Sequence, residues 1–357
     1  MDRPWEHRGE HLGDRLGGEP LVSVVIPSYN RAHVVAETLE SVLAQTYRSL
    51  EIILVDDGSK DDTAGAVAPF RARGVTYVRT ANQGLAAARN TGMLMARGEY
   101  IAWLDSDDLW NPEKLALQMA FLRRHPDHVL AASDFSAFDD EDGYFDRSHA
   151  RTYYAAIDRA GGLARIFPRR STLRTEGLAP GVPLPPEVHV YHGEAFGALV
   201  GGNCLHPPTV VFRRDVAARA GLLHKRFGRD SDYEYLLRLS RLGPVAYVDY
   251  PLMRYRYSPD QMSSDRYLTE IAAARVTVLD MLKGRDPHLL RRRDFRRRLG
   301  YSHLAVAHTL SDRDRRAAAG HLVRSLAWGY VDGYTAKTIA KIVLPRSVVE
   351  RVRRRRR

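Results

Sequence analysis

Apolar residues along this chain follow two rhythms, short continuous runs and stretches that repeat every three or four positions, and the two alternate from residue 21 onward. Leu21-Val22-Ser23-Val24-Val25-Ile26 reads as a buried strand closed by Pro27-Ser28-Tyr29-Asn30. A helix is predicted from about His33 to Gln45, where Val35, Leu39, Val42 and Leu43 share a face, followed by a strand at Glu51–Val55. Strand, helix and strand in so few residues form a right-handed βαβ unit with parallel strands. The pattern repeats with a helix at 63–73, a strand at 75–79, a helix at 84–96 and a strand at 100–104, which is half of a doubly wound α/β sheet. A helix at 112–124 and an apolar run at 129–135 follow; residues 138–202 show no assignable period. Regularity returns with a strand at 209–212 and a helix at 232–242, and the chain reads as Arg-rich helices from Arg266. The expected organisation is a flexible arm over 1–20, one α/β domain over 21–260 and a helical extension over 261–357.

In doubly wound sheets ligands gather outside the carboxyl ends of the strands. Here those ends carry Tyr29, Asp57 and the run Asp105-Ser106-Asp107-Asp108. Asp105 and Asp107, two apart at a strand end, can point the same way and converge on a hard cation. Two carboxylates about 4 Å apart repel by about 4 kcal/mol at an effective dielectric of 20, so a metal or a protonated acid is expected. The plainer reading is a solvated turn in which Asp108 or Asn111 caps the helix opening at Pro112. The first turn contains no glycine, which disfavours a dinucleotide cradle. A diphosphate held here would need a divalent cation; Asp57 could accept a hydrogen bond from a base, and Tyr29 could stack on it.

Charge at first suggests a nucleic-acid binder, since the formal net charge is +11. Yet 20 of the 54 Lys/Arg and 6 of the 43 Asp/Glu lie in residues 284–357, so that segment is net +14 and the rest is net −3. A polyanion groove across the main domain, and hence a nucleic-acid partner, is not expected. The single cysteine, Cys204, excludes an internal disulfide framework and suits a reducing compartment. Met1–Pro20 lacks an apolar signal core and no run of 18 apolar residues occurs, so the expectation is cytoplasmic, with attachment to the inner face of a membrane left open.

Four segments in order, Val22 to Asn30, Asp56-Asp57-Gly58-Ser59, Asn82-Gln83-Gly84 with Ala88-Arg89-Asn90, and Gly98 through Asp108, resemble the family 2 glycosyltransferases of the GT-A fold. The similarity is close over Val22–Asp134, weaker over Gly201–Ser263 and faint elsewhere. It implies a GT-A Rossmann-like sheet flanked by helices and inverting transfer of a sugar from a nucleotide-sugar, commonly a UDP-sugar, with Mg2+ or Mn2+. By position, the resemblance puts Pro27, Tyr29, Asp57 and Arg89 at the nucleotide, with Asp105 nearer the ribose and Asp107 the principal metal ligand beside it. Asp108 would touch the donor sugar or support its neighbours.

An inverting displacement needs a base for the acceptor hydroxyl. The register of Tyr235-Leu236-Leu237-Arg238-Leu239 puts Asp232 in that role, but Ser231 stands where relatives carry Glu, which leaves Asp230 as the alternative. Capping of the same helix by Asp232 is compatible with catalysis. Ser258 replaces a histidine common in relatives, so Arg256 or a water would take over its contacts. Asn203 and His206 resemble an acceptor-facing stretch, although a lone histidine is more often structural. The acceptor class implied is a polysaccharide, lipopolysaccharide or other surface glycan. Ala336–Val352 with Arg353–Arg357 could lie on an anionic membrane surface, or be a solvated tail. A nucleotide-sugar-binding scaffold without turnover and a sugar-phosphate nucleotidyltransferase are the competing functions; the second would want a Gly-rich, basic first loop.

Overall fold

The computed structural model describes residues 18–139, 143–258 and 267–345. Within them the chain divides into two compact units, 18–199 with 203–225 and 232–258, and 200–202 with 226–231 and 267–345. In chain order the elements up to the long final strand are β1 (Val22–Ser28), α1 (Val35–Leu43), β2 (Leu50–Asp56), α2 (Thr63–Arg71), β3 (Val75–Arg79), α3 (Leu85–Met95), β4 (Tyr100–Trp103), β5 (Leu109–Trp110), α4 (Lys114–Arg124), β6 (Leu130–Asp139), β7 (Gly143–Asp146), α5 (Ala150–Tyr153), α6 (Ala155–Ala160), α7 (Leu163–Ile166), β8 (Arg169–Arg174), β9 (Glu187–Gly193), α8 (Phe196–Gly201), β10 (Val211–Arg213), α9 (Arg214–Ala220), α10 (Ser231–Ser240) and β11 (Val245–Arg256).

The strands join in the order β3-β2-β1-β4-β10-β6-β11-β9-β8, with β5 on β11 and β7 on β6. β1 to β4 are mutually parallel; β10 runs against both β4 and β6, so β6 and β11 point the same way as β1. This mixed α/β sheet with flanking helices is the expected class. The chain passes from β1 to β2 on one side and later to β4 on the other, which opens a crevice at the carboxyl ends of β1 and β4. Every residue of β1 is buried, flanked by parallel β2 and β4 and packed by α3, which agrees with its unbroken apolar run. α3 lies so close on β1 that a Cβ on Gly92 would come within 2.3 Å of Val25 Cγ1.

Three expectations change. Neither Asp108 nor Asn111 caps α4: Glu113 occupies the cap position without a side-chain bond, because β5 intervenes and ties both residues to β11. Asn111 Nδ2 donates to the Pro251 carbonyl at 2.8 Å. The strand expected at 209–212 is Val211–Arg213, since Pro207 and Pro208 begin a tight 3-10 turn that includes Thr209. The unassigned stretch contains β7 to β9; among the described residues β8 pairs only with β9 at the sheet edge, and its exposed Arg-rich face leaves no apolar run to read.

The second unit holds α11 (Leu268–Arg285), α12 (Arg293–Leu310), α13 (Arg315–Ala327) and α14 (Gly333–Val343). Leu304, Ala307 and Leu322 form a core against which Tyr330 and Ile342 pack. Asp314 caps α13, and Asp332 with Thr335 forms a reciprocal capping box on α14. Among the described residues no helix is long and apolar enough to cross a membrane. Residues 1–17 of the expected arm and 346–357 of the basic tail lie outside the described residues.

Candidate active site

The turn after β1 requires a left-handed residue, and Asn30 (φ +53°) supplies it. Asn30 N–H donates to Ser59 Oγ at 2.9 Å and its Oδ1 accepts from Lys60 N–H at 2.7 Å, so the loops ending β1 and β2 are stitched together. Asp57 is buried, and its two oxygens accept from Gln83 N–H at 2.9 Å and Gly84 N–H at 2.7 Å. It thereby fastens the end of β2 to the start of α3, where Gly84 adopts φ +89°. Tyr29 is 38% exposed on this rim, whereas Pro27 is buried in β1 opposite Val55.

Beneath the rim three arginines meet the acids that follow β4. Arg89 of α3 is fully buried; its Nη2 donates to Asp105 Oδ1 at 2.7 Å and its Nη1 faces Asp232 Oδ2 at 3.4 Å. Its guanidinium lies 4.8 Å from the Trp103 ring centroid, a cation–π contact at the end of β4. Arg31 Nε donates to Asp107 Oδ2 at 3.1 Å. Arg256 of β11 uses its backbone N–H for Asp108 Oδ1 and its Nε for the Asp107 carbonyl, each at 3.0 Å, while Nη2 reaches Glu37 Oε2 at 2.7 Å.

The acids remain crowded. Burial raises the Asp107 carboxyl above its ordinary range against the pull of Arg31, with Asp105 pushing the same way as burial. Burial lifts Asp108 further, assisted by Asp107 and Asp105. Asp232 lies in the first turn of α10, its Oδ1 accepting from Tyr233 N–H at 2.6 Å.

The other expected residues lie elsewhere or serve local structure. Asp230 is buried and held by both Nε and Nη2 of Arg275 on α11, an ion pair that occupies both of its oxygens. Asn203 Oδ1 accepts from Leu205 N–H at 3.0 Å. His206 is buried, stacked on Phe135 at 4.2 Å, and bonded through Nδ1 to the Tyr154 hydroxyl at 2.9 Å. Burial, with His149 and Arg89, pushes its imidazole down to about 3, so it is neutral. Arg31 and Glu37 were not anticipated. A charge balance around three adjacent acids would have drawn attention to Arg31, which directly follows the β1 turn; Glu37 carries no comparable signal.

Residues 23–178 match the family model described as glycosyl transferase family 2. An uncharacterized glycosyltransferase of Rickettsia typhi is 42% identical over 253 residues, 71% of this chain and 68% of its own length. The Escherichia coli UDP-Glc:alpha-D-GlcNAc-diphosphoundecaprenol beta-1,3-glucosyltransferase WfgD is 39% identical over 106 residues, 29% of this chain and 42% of that protein. Matches to two further uncharacterized glycosyltransferases, of Rickettsia felis and Rickettsia conorii, span 21% and 23% of those proteins. Two solved structures share the fold at low identity. S. aureus TarS 1-349 in complex with UDP-GlcNAc gives a TM-score of 0.54 at 14% identity, covering 86% of this chain and 88% of that one. The mannosyltransferase PcManGT of Pyrobaculum calidifontis, in complex with GDP-Man and Mn2+, gives 0.54 at 21% identity, covering 94% and 82%.

Proposed function

Because the chain belongs to glycosyltransferase family 2, we propose that it moves a sugar with inversion from a UDP-sugar to a lipid-linked or surface-glycan acceptor, with Asp232 as the base. The carrying observation is Arg89, one buried cation that faces both the first acid of the Asp105–Asp108 turn and the acid on α10. It holds Asp232, in the first turn of α10, beside the turn where the donor diphosphate would lie. Asp232 would take the acceptor hydroxyl proton as the oxygen attacks the anomeric carbon from the face opposite the leaving diphosphate. Asp230 is set aside as base because Arg275 occupies both its oxygens. Tyr29 would stack on the base from the rim and Pro27 would shape the strand beneath it, with Asp57 holding the loop that faces the base.

Mg2+ or Mn2+ fits this turn. Asp105 and Asp107 form an all-oxygen donor set, and each arginine pair engages one oxygen of a carboxylate that has two. Bound there, the ion would neutralise charge on the nucleoside diphosphate. Arg256, anchored by Glu37, would hold the backbone of the turn in place of the histidine that Ser258 replaces, with Asp108 fixed from behind. His206 and Asn203 would support the acceptor side through packing. UDP and a lipid-diphosphate acceptor are supported by what the relatives' names state. The basic tail would favour an anionic membrane surface carrying that acceptor.

The test is nucleoside-diphosphate release from UDP- and GDP-sugars with either metal, alongside Asp232→Asn. Loss of release with UDP binding retained is expected. Turnover by Asp232→Asn at the wild-type rate would sink the assignment.

A further inference from the structure

A second group of metal-ligating side chains lies outside this site. His125 ends α4, Asp127 and His128 follow in the loop before β6, and one donor atom from each lies within 4.8 Å of the others. β6 runs parallel to β4, so its amino end and this cluster sit on the sheet edge opposite Asp105 and Asp107. We propose that His125, Asp127 and His128 form a Zn2+ site.

The donor set is two imidazoles and a carboxylate, which suits zinc and not the hard cation favoured by the all-oxygen turn after β4.

Hydrogen bonds behind the ligands supply the second argument. His128 is buried; its Nδ1 meets Asp127 Oδ1 at 2.9 Å and its Nε2 meets His192 Nδ1 at 3.1 Å, while His192 Nε2 meets Ser171 Oγ at 2.9 Å. Without metal, a proton on His128 Nδ1 satisfies Asp127, His192 Nδ1–H donates to His128 Nε2, and the Ser171 hydroxyl donates to His192. With both rings in their other tautomer every bond behind the ligands survives, donors and acceptors exchanged. His128 Nδ1 then presents a lone pair toward Asp127, and a cation belongs between them. A metal-bound histidine that donates its other N–H to a fixed acceptor is the arrangement that orients such ligands.

Tetrahedral zinc spaces its ligand atoms by about 3.3 Å, so the group must contract. Asp127, 59% exposed, and His125, half-buried beside Phe121, have room to move. Arg124 and Arg169, whose charges reach His125 and His192, oppose a cation and lower its affinity. The ion would clasp the end of α4 to the β8–β9 hairpin through the relay to Ser171.

The experiment uses the full chain freed of metal, titrated with Zn2+ against a chromophoric competitor and with Co2+ by visible absorption. With excess Mg2+ present to occupy the all-oxygen turn, one equivalent is expected in the wild type and in Asp107→Ala, with tetrahedral-type Co2+ bands and a melting point raised by about 5 °C at a hundredfold excess over Kd. His125→Ala and Asp127→Ala, both at accessible positions, are expected to weaken binding at least about 100-fold, and His192→Phe about 10-fold or more. His321→Ala, at the separate His303–His321 pair, should change nothing. Unchanged zinc affinity in His125→Ala and Asp127→Ala, loss in Asp107→Ala or His321→Ala, or no zinc bound by the wild type at about 100 micromolar zinc, where a Kd of micromolar or tighter would saturate, would each overturn the assignment.

Discussion

Replacing Arg89 with Met tests the electrostatic centre of the proposed site, because the side chain is fully buried while its partners Asp105 and Asp232 are 32% and 21% exposed. Charge centres in such a pair lie about 4 Å apart, where the interaction is about 4 kcal/mol at an effective dielectric of 20 and about 1 in water. The part-exposed Asp105 falls between these limits, at about 2 kcal/mol, and the longer contact to Asp232 adds about 1. Met preserves much of the packing on Trp103, so the expected loss of stability is about 3 kcal/mol by urea denaturation. A cycle with Asp105→Asn isolates the pair and should give a coupling of about 2 kcal/mol. Nucleoside-diphosphate release should fall roughly 100-fold in kcat/KM, because the variant loses both the orientation of Asp232 and the charge beside the turn. Arg89→Lys keeps the charge without the fork and should fall between the two. A coupling below about 0.5 kcal/mol, with release within twofold of wild type, would refute the reasoning.

Gly92→Ala should cost about 1–3 kcal/mol, since the new Cβ would meet Val25 Cγ1 at 2.3 Å; chemical denaturation of Gly92→Ala with Val25→Ala should show less than additive loss. His206, with its imidazole held at about 3, binds its proton far more readily when unfolded, so stability is full above about pH 6.5 and declines as pH falls toward 3. By pH 5 the loss from this group is at most about 2 kcal/mol, and His206→Phe should flatten the slope of urea midpoints between pH 7 and 5. Removing Arg275 as Arg275→Met strands the buried Asp230 carboxylate and should lower stability by about 3 kcal/mol, which Asp230→Asn in the same chain partly restores; equal melting of single and double variants would contradict this.

Hydrophobic rhythm alone determined the parallel half of the sheet. β1 and β4 are buried along their whole length and β2 from Ile52 onward, so their apolar runs and the helices between them stand out in the sequence to within about two residues, while in β3 at the sheet edge only Val75 is buried. The order of turns likewise placed Tyr29, Asp57 and Asp105–Asp108 at the carboxyl edge, because parallel strands must end on one side. Tertiary structure decided the rest. β8 became a strand only by pairing with β9, and its exposed charges conceal that from any periodicity. Asp108 faces β11 and not the start of α4, a choice made by the two-residue strand β5 against Met253 and Arg254. The distinction between Asp230 and Asp232 also lay outside the local pattern, since both are acids at the opening of one helix. One is captured by Arg275 and the other faces Arg89, partners that are 45 and 143 residues away in sequence. Local pattern fixes what a residue does to its own backbone; the charge it meets across the fold depends on which distant segments close around it.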